Sequence, residues 1–223
     1  MASIQAAVMT APGHIEMREV ELGPIGGGEL LLKIERTGVC GSDKHMYAGH
    51  MGLPFPIIPG HELVGTIEEL GDEVSGLNVG QRVMGMGPQG NAEYVAVNAN
   101  FVFPYPETLD PVQAGGIPIV FLTAYHLLKT RGQMKSGDTV LIQAGASGVG
   151  TVATQLAKTW GARVITTAST PDKLDLSRSL GADDTINYTL QDFGAEVDKL
   201  TDGKGLPVVY DGVGKSTFEK SLE

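Results

Sequence analysis

One cysteine, Cys40, is all that 223 residues contain, so no intrachain disulfide framework is possible and a reducing compartment is compatible. Long apolar runs are also missing: none approaches the roughly 20 residues that cross a bilayer, and no charged-then-apolar signal opens the chain. Positive charge is scarce. Sixteen Lys and Arg face 26 Asp and Glu, a net charge of −10 with no basic cluster, which excludes a nucleic-acid surface. There is no internal repeat and no low-complexity linker. The 31 glycines follow no period, so they signal many turns rather than a fibre. The expectation is a soluble, cytoplasmic protein whose partners are small molecules, not nucleic acid or membrane. Its length has room for one large domain or two modest ones.

The stretch Val140 to Trp160, VLIQAGASGVGTVATQLAKTW, is where the chain is most explicit. Val140, Leu141 and Ile142 show no polar alternation, which suits a central parallel strand covered on both faces. Val149, Val152, Ala153, Leu156, Ala157 and Trp160 mark one face of a helix, and Gly161 is placed to end it. Between them lies Gly145-Ala146-Ser147-Gly148-Val149-Gly150, a near-match to the dinucleotide fingerprint G-x-G-x-x-G with Ser147 at the middle glycine. Such a turn lets backbone N–H groups approach a pyrophosphate at the positive end of a helix. Ser147 is expected at the point of close approach, its hydroxyl joining the phosphate contacts. By itself the six-residue match describes any glycine turn. The strand before it, the helix after it and a second strand, residues 163–167, about 20 residues on supply the required context.

The end of that second strand selects the nucleotide. NAD is held by an Asp or Glu that accepts from the ribose hydroxyls. Here Ala168, Ser169 and Thr170 stand instead, with Lys173 close behind. Small hydroxyl residues and a cation suit a 2′-phosphate, which an acid would repel, so NADP(H) is the expected cofactor.

Residues 1 to about 105 read as short strands punctuated by turns, a β-barrel-like layout: Leu30 to Ile34, Leu63 to Leu70 and Tyr94 to Val97. From Asp110 the periodicity becomes helical, with Ala124, Leu127 and Leu128 on one face and Gly132 as a stop. Strands and helices then alternate: helix 148–160, strand 163–167, helix 172–180 closed by Gly181, strand 185–187, helix 190–200, strand 207–210, and a new helix from about Ser216. Four strands stand where a complete doubly wound dinucleotide sheet has six, so a fragment of a longer protein is expected.

Two short segments in the front half carry candidate chemistry: Thr37 to His45, TGVCGSDKH, and Pro59 to Glu62, PGHE. Cys40 and His61 are one soft and one borderline ligand, a pair that zinc accepts. Two such residues do not make a metal motif; a lone cysteine is more often a small buried hydrophobe. His14, His50, His126 and Trp160 read as structural.

At these motifs, together with Pro59-Gly-His-Glu-Leu-Val-Gly65, Gly80-Gln-Arg-Val83 and the glycine turn, the chain resembles the medium-chain dehydrogenase/reductase superfamily, the zinc alcohol dehydrogenases and their zinc-free quinone oxidoreductase relatives. The resemblance runs from about residue 5 to the last residue. It implies an α/β protein with a GroES-like β-barrel domain over residues 1–122 and a doubly wound Rossmann sheet, incomplete here, over 123–223. It implies one catalytic zinc on Cys40 and His61, with Glu62 as a neighbouring carboxylate able to ligate and Asp43 holding His61 in its tautomer. It implies a proton relay through Ser42 and His45, nicotinamide contact at Thr123, and contacts of Lys173 and Tyr188 with the 2′-phosphate end. The usual cysteine ligand is replaced by Ile119, and the four-cysteine structural zinc lobe is absent. The front half resembles a zinc dehydrogenase and the back half, with Ile186-Asn-Tyr188 and Val209-Tyr-Asp-Gly-Val-Gly214, a quinone reductase.

Three functions follow as expectations. The first is a zinc-assisted, NADP(H)-dependent dehydrogenase or reductase acting on an alcohol, aldehyde or ketone, a homodimer in its full-length form. The second is a zinc-independent NADPH quinone or enone reductase. The third is a nucleotide-binding fragment without catalysis.

Overall fold

The computed structural model describes residues 3–223 and divides the chain into two units, Met1–Ile119 and Val120–Glu223, so the division falls slightly before the expected 122/123 boundary. The first unit contains β1 (Ser3–Ala11), β2 (His14–Glu21), β3 (Glu29–Gly38), α1 (Gly41–Tyr47), β4 (Glu62–Leu70), β5 (Arg82–Met86), β6 (Tyr94–Asn98), β7 (Val102–Pro104) and α2 (Pro111–Gly115). Five strands form an antiparallel sheet in the order β6-β3-β4-β5-β7. Its core is the inward half of each alternating strand: Leu30 and Leu32, Leu63 and Ile67, Val83, Val95 and Val97, Val102. Burying each such side chain contributes about 1.5–3 kcal/mol. The hairpin β1–β2 forms a separate ribbon, tied to the rest through Ala7 N–H to Asn91 O at 2.8 Å and Met9 N–H to Ile57 O at 2.8 Å. Its outer strand is exposed at nearly every residue, and the alternation begun by Ile15 and Met17 breaks at Val20.

The second unit starts within α3 (Pro118–Tyr125), continues through a π-helical turn (His126–Arg131), and then alternates: β8 (Thr139–Ile142), α4 (Gly148–Thr159), β9 (Arg163–Ala168), α5 (Pro171–Ser179), β10 (Asp184–Asn187), α6 (Phe193–Thr201) and β11 (Val208–Tyr210). The four strands are parallel, in the order β10-β9-β8-β11. That is 3-2-1-4, the beginning of the dinucleotide-binding order. The unbroken apolar run of β8 is explained by its place between two neighbours with both faces covered. Val140 and Ile142 pack with Val152, Ala153 and Ala157 of α4, while Leu141 packs on the other face with Ile165, Ile186, Phe193 and Val197.

Two expectations are corrected. The helix expected at 190–200 begins at Phe193, because Asn187 and Thr189 close a side-chain turn first and Asp192 caps the helix by accepting from Ala195 N–H at 3.1 Å. The helix expected from Ser216 is a series of turns. There the carboxylate of Asp211 accepts from the hydroxyls of Thr217 and Ser221, at 2.9 and 3.2 Å, and the backbone bonds are shared between neighbouring carbonyls. No helix among the described residues is long and apolar enough to cross a membrane.

Candidate functional site

In the first unit, Cys40 stands just ahead of α1 and His61 just ahead of β4, and one residue joins them. Asp43, only 8 % exposed, accepts from Cys40 N–H through Oδ2 at 2.8 Å, while Oδ1 lies 3.4 Å from both Gly60 N and His61 Nδ1. The contact at Nδ1 favours the tautomer protonated there and leaves the lone pair on Nε2. The thiol of Cys40, a ring nitrogen of His61 and a carboxylate oxygen of Glu62 all lie within 4.8 Å of one another.

This donor set fits a zinc ion. Thiolate, imidazole and carboxylate are the three ligand types zinc takes, and three protein ligands with one open position is the arrangement of catalytic sites. Glu62 gives an independent reason. It is 8 % exposed, and none of the ion pairs formed among the described residues includes it. Burial pushes its carboxyl above the usual range; His61 pulls it down and the Asp43 charge pushes it up again. A buried acid that forms no ion pair is a place where a cation is favourable.

Ser42 and His45, one hydroxyl and one imidazole on α1, do not pair with each other. Ser42 Oγ is 3.3 Å from His61 Nε2, and His45 Nδ1 is 3.3 Å from His50 Nδ1. His50, read as structural for want of a partner, therefore has one in His45. A cavity of about 230 Å³ lies beside Glu62, lined by Thr37, Gly38, Pro111, Val112 and Gly115 among others.

In the second unit the turn between β8 and α4 is fixed by steric demand and by β9. A Cβ on Gly145 would come 2.7 Å from Thr166 Cβ, and one on Gly150 would come 2.9 Å from Gly145 Cα. Both are closer than real Cβ atoms approach. Ala144 adopts φ +52°, an unusual conformation for a residue with a side chain. Thr167 ties the turn to β9: its hydroxyl accepts from Ala144 N–H at 3.1 Å and donates to Gln143 Oε1 at 2.7 Å. Ser147 is the N-cap of α4, its oxygen accepting from Gly150 N–H at 3.1 Å. Its hydroxyl proton and the first amides of the helix, at Gly148 and Val149, have no intrahelical role and remain for an anion.

Asn187 pairs with Ala168, so the ends of β9 and β10 lie level and set Ser169 beside Tyr188. Lys173 is exposed in the first turn of α5, and Thr123 is half-buried on α3. The carboxyl ends of the strands border a cavity of about 410 Å³, lined by Gln143, Ala144, Thr167, Tyr188, Phe193 and Val213 among others, which is where open α/β sheets receive ligands. The sequence reading passed over Gln143 and Thr167. The signal was present: Gln143 is the one polar residue closing an apolar strand, and it is 1 % exposed.

Comparison with known proteins gives the same division. Residues 26–107 match the alcohol dehydrogenase GroES-like domain, and residues 148–223 match the zinc-binding dehydrogenase family. The second match contains no Cys or His, so its name carries no information about metal in this chain. The chain is 37 % identical over 221 residues to a 2-haloacrylate reductase of a Burkholderia species, covering 95 % of this chain and 66 % of that protein. It is 36 % identical over 225 residues to a quinone oxidoreductase of Pseudomonas aeruginosa, covering 99 % and 69 %. A mycobacterial protein solved in complex with NADPH superposes with a TM-score of 0.89 at 36 % identity, covering 98 % of this chain and 70 % of that one. The chain thus spans about two thirds of the length of these relatives. With both family domains present in order, and this identity carried across nearly every residue, the chain belongs to the medium-chain dehydrogenase/reductase superfamily.

Proposed function

We propose that the protein is an NADPH-dependent reductase of a conjugated acceptor, a quinone or an activated alkene. Bound NADPH supplies the hydride. The chain's part is to hold the cofactor: the first amides of α4 and the Ser147 hydroxyl at the pyrophosphate, with Gly145, Ala146, Gly148, Val149 and Gly150 giving the close approach. Ser169, Lys173 and Tyr188 would hold the 2′-phosphate end, and Thr123 the nicotinamide end. The observation that carries this reading is the end of β9, where Ser169 stands in place of an acid and both Lys173 and Tyr188 are exposed beside it. The acceptor class follows the relatives, one named for a quinone and one for a 2-haloacrylate. Fluorescence titration should give tighter binding of NADPH than of NADH, and Lys173→Glu should reverse the order. Equal affinities that Lys173→Glu leaves unchanged would sink the assignment. NADPH consumption should appear with quinones or enones; binding with no turnover of any acceptor would reduce the protein to a nucleotide binder.

A second reading is favoured by the convergence of Cys40, His61 and Glu62. Here one zinc on these residues would supply a Lewis acid for an alcohol or carbonyl oxygen. Ser42 would hold a proton at its hydroxyl beside the substrate, and exposed His45, which contacts His50 rather than Ser42, would exchange protons with solvent only if substrate binding brought it to that hydroxyl. Elemental analysis should then find about one zinc per chain, lost in Cys40→Ala. Metal-free protein that reduces quinones at the same rate in wild type and Cys40→Ser would leave the first reading alone standing.

A further inference from the structure

The glycine opposite Glu62 has no backbone reason to be a glycine. Gly38 is not among the positive-φ residues, in contrast to Gly60 at φ +90°. Its reason is space. Gly38 and Glu62 are paired residues of β3 and β4. A Cβ on Gly38 would lie 2.9 Å from both Cβ and Cδ of Glu62, and nearer still to Oε2. Facing Cβ atoms on neighbouring strands are ordinarily about 4.5–5.5 Å apart. The carboxylate of Glu62 therefore lies in the notch left by the missing side chain at position 38, and from that notch it reaches Cys40 and His61.

We infer that Gly38 is the positioning residue that admits Glu62 to the metal-ligating trio. Residue 38 decides whether zinc finds three protein ligands here or two. The inference rests on the zinc reading and goes beyond it, since it assigns ligation to a residue that touches no metal. Any side chain at 38 forces the carboxylate out of its notch, and the cavity beside Glu62 gives it room to go. Gly38→Ala should accordingly displace the carboxylate and, because the Glu62 Cβ is itself only 2.9 Å away, strain the pairing of β3 with β4 as well.

The test is zinc affinity of the full chain, measured by competition with a chromogenic chelator. Thiolate charge-transfer absorption of the cobalt(II)-substituted protein serves as a second readout independent of activity. Gly38→Ala and Glu62→Ala should each weaken zinc by the same factor, at least about tenfold, and the double variant should lose no more than either. Wild-type affinity in Gly38→Ala, or losses that add in the double variant, would overturn the inference and leave the zinc reading intact. No zinc bound by the wild type would overturn both. If Gly38→Ala fails to fold, restored folding in Gly38→Ala with Glu62→Gly, which removes the Cβ along with the carboxylate, places the clash where it is argued to be. Continued failure of that double variant overturns it.

Discussion

The two units hold their candidate chemistry by opposite means. In the first, Cys40, His61 and Glu62 are brought together by side chains: Asp43 links α1 to the 59–62 segment through contacts of 2.8 to 3.4 Å, and a notch at Gly38 seats the acid. In the second, the turn at 145–150 takes its shape from the missing side chains of Gly145 and Gly150, pressed against β9 with almost no space between, and the hydroxyls of Thr167 and Ser147 then tie it. The first arrangement should therefore be sensitive to polar substitutions that leave volume alone, with added volume telling at Gly38, and the second to added volume above all. That difference can be broken directly.

The largest effect is expected in the second unit. Gly150→Val places its Cβ against Gly145 and the Ala144 carbonyl, where the obstructing atoms are backbone and cannot move aside. A loss of about 1–3 kcal/mol in that unit is expected from overpacking, with NADPH binding abolished. Thermal melts and fluorescence titration measure the two effects, and the response of the first unit to added zinc should match that of the wild type. A variant that melts normally and still binds NADPH would show that the turn has slack which its geometry denies.

The counterpart in the first unit is Asp43→Ala. Removing this buried carboxylate leaves Cys40 N–H and His61 Nδ1 without their acceptor. On the zinc reading, metal affinity should fall by about 10–100-fold, the usual cost of losing the group that orients a metal-binding histidine. NADPH affinity in the other unit should be untouched. Equal losses of metal and nucleotide would mean general unfolding and would erase the contrast between the units.

How much of this was legible in the sequence also differs between the units. The parallel sheet could be read because β8 is apolar without alternation and because Gly161 and Gly181, at φ +84° and +107°, close the helices before them. The hairpin β1–β2 was not, since β2 is exposed along its length and its alternation breaks at Val20. The cysteine and histidine of the front site were found as residue types, but their convergence depends on β3–β4 register and on Asp43, neither of which a spacing reveals. Ser42 meeting His61 across 19 residues is of the same kind. Gly38 was invisible for a sharper reason: glycine is normally read as a turn, and here its φ is ordinary and only the opposite strand explains it.

A smaller effect, and one that depends on pH, belongs to the turn after β11. Burial raises the carboxyl of Asp211, but the N–H groups of Gly214 and Val213 and the hydroxyls of Thr217 and Ser221 outweigh it and hold its pKa below the ordinary value. A lowered folded-state pKa means that the contribution is complete above the unfolded value of 3.8 and is lost as pH falls through the folded value. Asp211→Ala should cost about 1–2 kcal/mol at neutral pH and progressively less in acid. Urea melts at several pH values give the slope. A difference that stays constant into acid would mean that packing, not the charge, is what Asp211 contributes.

The smallest effect separates two roles of Ser147 in one position. Its oxygen caps α4 by accepting from Gly150 N–H, which leaves the hydroxyl proton free. Loss of the cap in Ser147→Ala should cost about 1 kcal/mol, whereas Ser147→Gly should cost only a few tenths, because glycine is itself tolerated at that position. Glycine also restores the fingerprint's own residue. If the hydroxyl does no more than cap, NADPH should bind Ser147→Gly as well as the wild type or better, since the close approach is eased. If instead the proton reaches the pyrophosphate, Ser147→Gly should bind NADPH more weakly while melting almost normally. The second outcome would make cofactor binding at this turn depend on a side chain, as the convergence of Cys40 and His61 depends on Asp43.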